Sequence, residues 1–202
     1  ILYEVKVRGR AAHGFSPDLG INAIEEAARI ISSMHKLKLR SHPKFGRGNV
    51  CTLKIEGGYR VYSVVVPERC TVEINRLLVP GESACSAVED FEDLVKGLSL
   101  KAQVEVKTKP PQYEPFVMEQ DEPIVRAFQE VYKEVCGVEP VYEYASTITD
   151  ANVFTGEAGI PCIHLGPRAG GAHQPNEYVT LDSLPSVSKM YTLIAARFLG
   201  RA

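Results

Sequence analysis

Polar and apolar residues alternate from the start of the chain, with Tyr3, Val5 and Val7 set against Glu4, Lys6 and Arg8. That two-residue period predicts a strand with one buried face. A loop containing Gly14, Pro17 and Gly20 follows, and the period then changes. Ile24, Ala27, Ala28, Ile31 and Met34 fall on one helical face. Asn22, with Glu25 three residues on, reads as a cap and its capping-box partner, so a helix is expected from 22 to about 37. Residues 49–56 read as strand, Gly57-Gly58 as a turn, and 64–66 and 70–78 as strand again, interrupted at Pro67. Ala84, Ala87, Val88, Phe91, Leu94 and Val95 predict a second amphipathic helix, and 104–108 a last strand. The order βαββαβ is the ferredoxin-like, split-βαβ arrangement, an α+β unit whose two helices cover one face of the sheet.

The pattern changes after Lys109-Pro110-Pro111, a sequence that neither helix nor ladder crosses easily. Asp121 reads as the cap of a helix with Pro123 in its first turn, a stripe at Ile124, Phe128, Val131 and Val135, and Gly137 as its stop. Residues 141–144 read as a strand, about 150–156 as a short helix, 162–165 as a buried strand, and 184–198 as a final helix. A Gly/Pro-rich loop, 166–175, separates the last two. This is an α/β layer pattern with too few elements for a self-sufficient core, so it is expected to be part of a larger domain. Charge divides at the same place: residues 1–110 carry 17 Lys/Arg against 13 Asp/Glu, and residues 111–202 carry 6 against 12. A domain boundary is therefore expected between 110 and 111.

Composition narrows the function classes. The chain is 45% hydrophobic and 24% charged, ordinary for a globular protein and unlike a disordered one. Its net charge of −2 supplies no global basic field, so neither nucleic acid nor an anionic membrane is expected as a partner. No apolar run reaches the roughly 18 residues of a membrane span. Cys51, Cys70, Cys85, Cys136 and Cys162 form an odd set without a CxxC pair, which reads as reduced thiols of a cytoplasmic protein.

There is no GxSxG elbow, P-loop, HExxH or GxGxxG. Four residues carry the remaining chemistry. His173 lies in Gly170-Gly171-Ala172-His173-Gln174-Pro175-Asn176-Glu177, just after an expected strand, where α/β proteins bind ligands and where a neutral imidazole suits zinc. A loop histidine hydrogen-bonded to Glu177 is the simpler reading on spacing alone. His13, in Ala11-Ala12-His13-Gly14, is most simply a solvated turn residue. Arg76 interrupts an apolar strand and is either an outward-facing sheet residue or a functional cation. Asp150, before Ala151-Asn152, reads as a helix N-cap. His35 is expected in a helix and His164 in the core, while His42 has no suggestive neighbours.

Four blocks carry a resemblance. They are Lys6 to Gly14 with Pro17, Gly20 and Asn22-Ala23; Gly57-Gly58 with Val65-Val66-Pro67 and Arg76; Thr149-Asp150-Ala151 with Gly159-Ile160-Pro161 and Gly166-Pro167; and Ala172 to Val179. In this order they resemble the co-catalytic zinc amidohydrolase and metallopeptidase family of acetylornithine deacetylase, succinyl-diaminopimelate desuccinylase, aminoacylase and glutamate carboxypeptidase. The resemblance implies a lid, or dimerisation, domain at 1–110, inserted into a zinc-exopeptidase-like catalytic domain whose C-terminal portion is 111–202. It also implies that the N-terminal half of that domain, with most metal ligands and the general base, is not in this chain, so the chain alone is not expected to be catalytic.

Carried over residue by residue, His173 resembles a metal ligand. His13 resembles the lid histidine that stabilises the tetrahedral oxyanion in the partner subunit, and Arg76 resembles an arginine that holds a substrate carboxylate. Asp150 is taken as structural or pocket support. Val64, with Ser63 beside it, stands where members of the family often have Asn. The implied cofactor is a pair of Zn²⁺ ions, with Co²⁺ or Mn²⁺ as alternatives, in a homodimer formed through the lid. The implied reaction is metal-assisted hydrolysis of an amide in an N-acyl amino acid or a C-terminal peptide residue, the zinc-held water attacking the carbonyl. A non-catalytic dimerisation or ligand-binding module derived from that family is the alternative, and a free-standing ferredoxin-like regulatory domain a third.

Overall fold

The computed structural model describes residues 1–200 and divides the chain into two compact units. The first comprises residues 1–116 with 145–148; the second comprises residues 117–144 with those from 149 onward.

In the first unit, Leu2–Arg8 (β1), Asn49–Gly57 (β4), Arg69–Leu77 (β5) and Gln103–Lys109 (β6) form one antiparallel sheet in the order β4-β5-β1-β6. A two-residue pair, Ser41–His42 (β2) and Gly46–Arg47 (β3), precedes β4. The inward row predicted for β1 is the buried one, and Val5 sits between Val72 and Val106 in register. Ala23–Ser33 (α1) and Ala84–Gly97 (α2) supply the helices. Mixed α/β architecture with a ferredoxin-like sheet is thus what these residues form. Phe91 of α2 stacks on Tyr3 with centroids 4.8 Å apart, and both are fully buried; burying each such side chain is worth about 1.5–3 kcal/mol.

The face of α1 is rotated from the predicted stripe. Ala23, Glu26, Ala27, Ile30 and Ser33 are buried, Ile24, Ile31 and Met34 are only partly so, and Ala28 is exposed. Two small residues, Ala23 and Ala27, let the helix axis lie close to the sheet. Asn22 caps the helix as expected, its side chain accepting from the amides of Ile24 and Glu25. Glu26 tolerates its position because its carboxylate accepts from the amides of Lys101 and Ala102 and pairs with Arg29. Burial works against the charged form, but these donors prevail and its pKa is lowered. Residues 64–66 do not join the main sheet; they pair with the loop after β1.

In the second unit, Pro123–Cys136 (α3) packs against Leu184–Leu199 (α4). Val125, Ala127, Phe128 and Val131 are buried, and the left-handed Gly137 (φ 75°) ends α3 as expected. Glu122, not Asp121, occupies the cap position. The strands expected at 141–144 and 162–165 are absent from the described residues, because a strand needs a ladder and no neighbour runs beside them here. Among the described residues the unit's strands are the two-residue Ala169–Gly170 (β7) and Tyr178–Val179 (β8). The short helix is one π-type turn, Asn152–Glu157. No helix among the described residues is long and apolar enough to cross a membrane. All five cysteines are free thiols.

Candidate functional site

His13 is exposed on a loop that two short antiparallel contacts hold in place. Arg10 and Ile21 exchange backbone hydrogen bonds of 3.0 and 2.9 Å, which closes the base of the loop. Beyond it, the Gly14 amide donates to Val64 O at 3.1 Å and the Val66 amide donates to Ala12 O at 2.8 Å, so that His13 faces Val65 across a bridge. Glycine is required at the loop's entry: a β-carbon on Gly9 would lie 2.0 Å from the carbonyl oxygen of Ile21. The Phe15 amide donates to His13 Nδ1 at 3.2 Å, and the two rings are 5.5 Å apart. Phe15, Leu19, Val61 and Tyr62, from the same pair of loops, are all exposed. An imidazole so placed can donate from Nε2 to an oxygen brought against it.

Arg76 has a different setting. Its side chain is 0% exposed, on the helix-covered side of β5, not outward on the sheet. One guanidinium nitrogen donates to Glu82 (2.8 Å) and Asp90 (3.0 Å), the other to Ala87 O (3.2 Å), which also accepts from the Tyr3 hydroxyl (2.7 Å). Glu82 in turn accepts from the Val79 amide at 2.9 Å. Burial alone would lower the arginine's pKa; Asp90, Glu82 and Tyr3 outweigh it and raise it. Burial pushes Tyr3 up to about 12, against the opposing charge of Arg76. With its terminal nitrogens committed inside the unit, Arg76 can reach a substrate carboxylate only by displacing Glu82 or Asp90.

In the second unit, His173 stands in the turn between β7 and β8 with φ 60°. Gly171 and Asn176 share the left-handed region (φ 71° and 65°). Its amide donates to Glu177 Oε2 at 3.3 Å; that contact uses the backbone and not the ring. Asp150 does not cap the following turn with its side chain. Its carbonyl starts the turn by accepting from Val153 and Phe154, and the cap position is Ala151. His164 is exposed, not in the core, and its Nε2 lies 2.7 Å from Thr149 Oγ1. Sequence reasoning missed this pair, since nothing in residue type or spacing relates positions 149 and 164.

No group of three His, Cys, Asp or Glu converges among the described residues. A catalytic zinc takes about three protein ligands.

The family model of the peptidase dimerisation domain matches residues 1–103. The uncharacterized protein YgeY of Escherichia coli K12 is 27% identical over 98% of this chain and 52% of its own length. Succinyl-diaminopimelate desuccinylase of Sulfurovum is 25% identical over 93% and 48%, respectively. Among solved structures, a tripeptidase from Staphylococcus aureus superposes with a TM-score of 0.72 at 24% identity, covering 96% of this chain and 50% of that one. The YXEP protein of Bacillus subtilis, described as a dinuclear metal binding peptidase, gives 0.63 at 18% identity, covering 98% and 49%. The chain thus spans about half the length of the curated relatives it matches.

Proposed function

Since the chain belongs to the peptidase dimerisation-domain family, we propose that it serves a metal-dependent amidohydrolase or exopeptidase. In this reading residues 1–110 are the lid and dimerisation domain, and residues 111–202 the C-terminal part of the catalytic domain. The observation that carries it is the family match over the unit that presents His13 on two paired loops. Its substrate in this reading is an amide that carries a free carboxylate, either an N-acyl amino acid or a peptide end, and the relative named as a desuccinylase supports the first. His13 donates a hydrogen bond to the developing oxyanion in the partner subunit's site. His173 is the one metal ligand this chain supplies, to a zinc pair whose other ligands lie outside these 202 residues. Arg76 braces β5 against α2 and leaves substrate binding to other groups. Asp150 shapes the loop before the Asn152–Glu157 turn.

The test uses the whole protein. His13→Ala should lower turnover roughly 10²–10³-fold, as loss of an oxyanion donor does, and His173→Ala should abolish metal-dependent hydrolysis. Unfolding the two variants together and refolding them should restore about a quarter of the original activity, because half the dimers are mixed and each of these has one complete site. If no activity returns, the assignment of His13 to the partner's site is refuted. The absence of a converging ligand group among the described residues favours one other reading, a non-catalytic dimerisation or ligand-binding module. A whole protein that hydrolyses neither N-acyl amino acids nor dipeptides with zinc present would select it.

A further inference from the structure

The geometry points to the main-chain N–H of Phe15 as a positioning group that fixes His13 as its neutral Nε2–H tautomer, a built-in hydrogen-bond donor. The inference deepens the role given to His13 above and rests on that reading for its catalytic meaning, though not for its test. An imidazole nitrogen that accepts a hydrogen bond carries no proton, and in the neutral ring the other nitrogen then does. Phe15 N–H donates to Nδ1 at 3.2 Å, so the proton sits on Nε2.

A turn can make such a bond by chance. His42 accepts from the Lys44 amide at the same distance. What sets His13 apart is that the turn is itself held. Ser16 N–H donates to His13 O at 2.8 Å, and the flanking residues Ala12 and Gly14 are tied to Val66 and Val64. The Phe15 amide is the central peptide of that turn, whose ends are anchored while it points at Nδ1. The ring also lies against Phe15, at 37° and 5.5 Å, which limits its rotation. The consequence is directional: His13 offers Nε2–H outward, and a second proton at Nδ1 requires the Phe15 bond to break. A group built this way stabilises negative charge on an oxygen and is poorly suited to remove a proton from water.

The first unit contains its own reference. His35 Nδ1 lies 2.7 Å from Ser32 O, and a carbonyl only accepts, so His35 is the opposite, Nδ1–H, tautomer. The experiment is long-range ¹H–¹⁵N spectroscopy of the uniformly ¹⁵N-labelled 202-residue chain at mildly alkaline pH. His13 should show an unprotonated Nδ1 and a protonated Nε2, with His35 reversed, and a coupling across the hydrogen bond should link Phe15 N to His13 Nδ1. Phe15→Ala, which keeps the amide, should preserve this pattern. Phe15→Pro, which removes it, should abolish the coupling and bring the two ring-nitrogen shifts of His13 toward the average of a freely exchanging imidazole. Averaged or Nδ1–H signals in the unaltered chain, no coupling to Phe15, or an unchanged pattern in a folded Phe15→Pro chain would overturn the proposal. Should Phe15→Pro fail to fold, the coupling in the unaltered chain decides. None of these readouts depends on catalysis, so their failure is distinct from failure of the refolding test.

Discussion

Arg76→Met removes a buried cation and leaves its partners in place. Asp90 is 39% exposed and turns to water at little cost, but the Glu82 side chain is only 2% exposed. Glu82 keeps the Val79 amide, and Ala87 O keeps the Tyr3 hydroxyl. Breaking a buried pair from one side costs about 3–5 kcal/mol; the surviving donor to Glu82 places the expected loss near the lower end, about 3 kcal/mol. The assay is native-state hydrogen exchange at the Val72 and Ile74 amides of β5, which reports opening of the first unit alone. At 1.4 kcal/mol per tenfold, protection should fall by roughly 10²-fold. Adding Glu82→Gln to Arg76→Met removes the stranded charge and should return a large part of that protection. A single variant that exchanges within about threefold of the unaltered chain, or a double variant no better protected than the single, would refute the argument that these charges brace the sheet.

Tyr3, pushed up to about 12 by burial, predicts alkaline sensitivity. The folded state holds its proton more tightly than the unfolded chain, so the stabilisation is complete below about pH 10 and is lost as pH rises toward about 12, roughly 2–3 kcal/mol in all. Urea unfolding at pH 8 and 11 should show about half of this in the unaltered chain and much less in Tyr3→Phe, which itself costs about 1 kcal/mol for the lost bond to Ala87 O; equal pH dependence in both would refute it. Gly9→Ala should strain the loop that carries His13, because its β-carbon would meet Ile21 O at 2.0 Å. A loss of about 1–3 kcal/mol is expected, with faster amide exchange at Arg10 and Ile21, and an unchanged melting temperature would count against it.

Periodicity made the first unit legible. The alternation in β1 and the stripe of α2 are where burial lies, since both elements pack one clear face on one layer. The α1 face was shifted because a hydrophobicity count rewards Ile24 and Ile31, whereas close approach to the sheet favours Ala23 and Ala27. Residues 64–66 look like strand and do pair, but with the His13 loop, a choice of partner that composition does not encode. In the second unit residues 162–165 look like strand, yet a strand is a relation between two segments, and among the described residues none is formed there. Arg76 shows the same limit at the level of one side chain. A cation in an apolar strand suggests either solvent or ligand, and only the fold brings Glu82 and Asp90 to it from α2 and the turn before it.

The edge strand β4 slips by one residue at Leu53: Thr52 is opposite Ile74, yet Lys54 is already opposite Glu73. A newcomer laid along that border would match the pleat on one side of the slip and present the wrong rows of side chains on the other. Regular strands, the kind that stack without end into fibrils, therefore find only half a template. The offset thus blunts the open border of the sheet against endless stacking of regular strands.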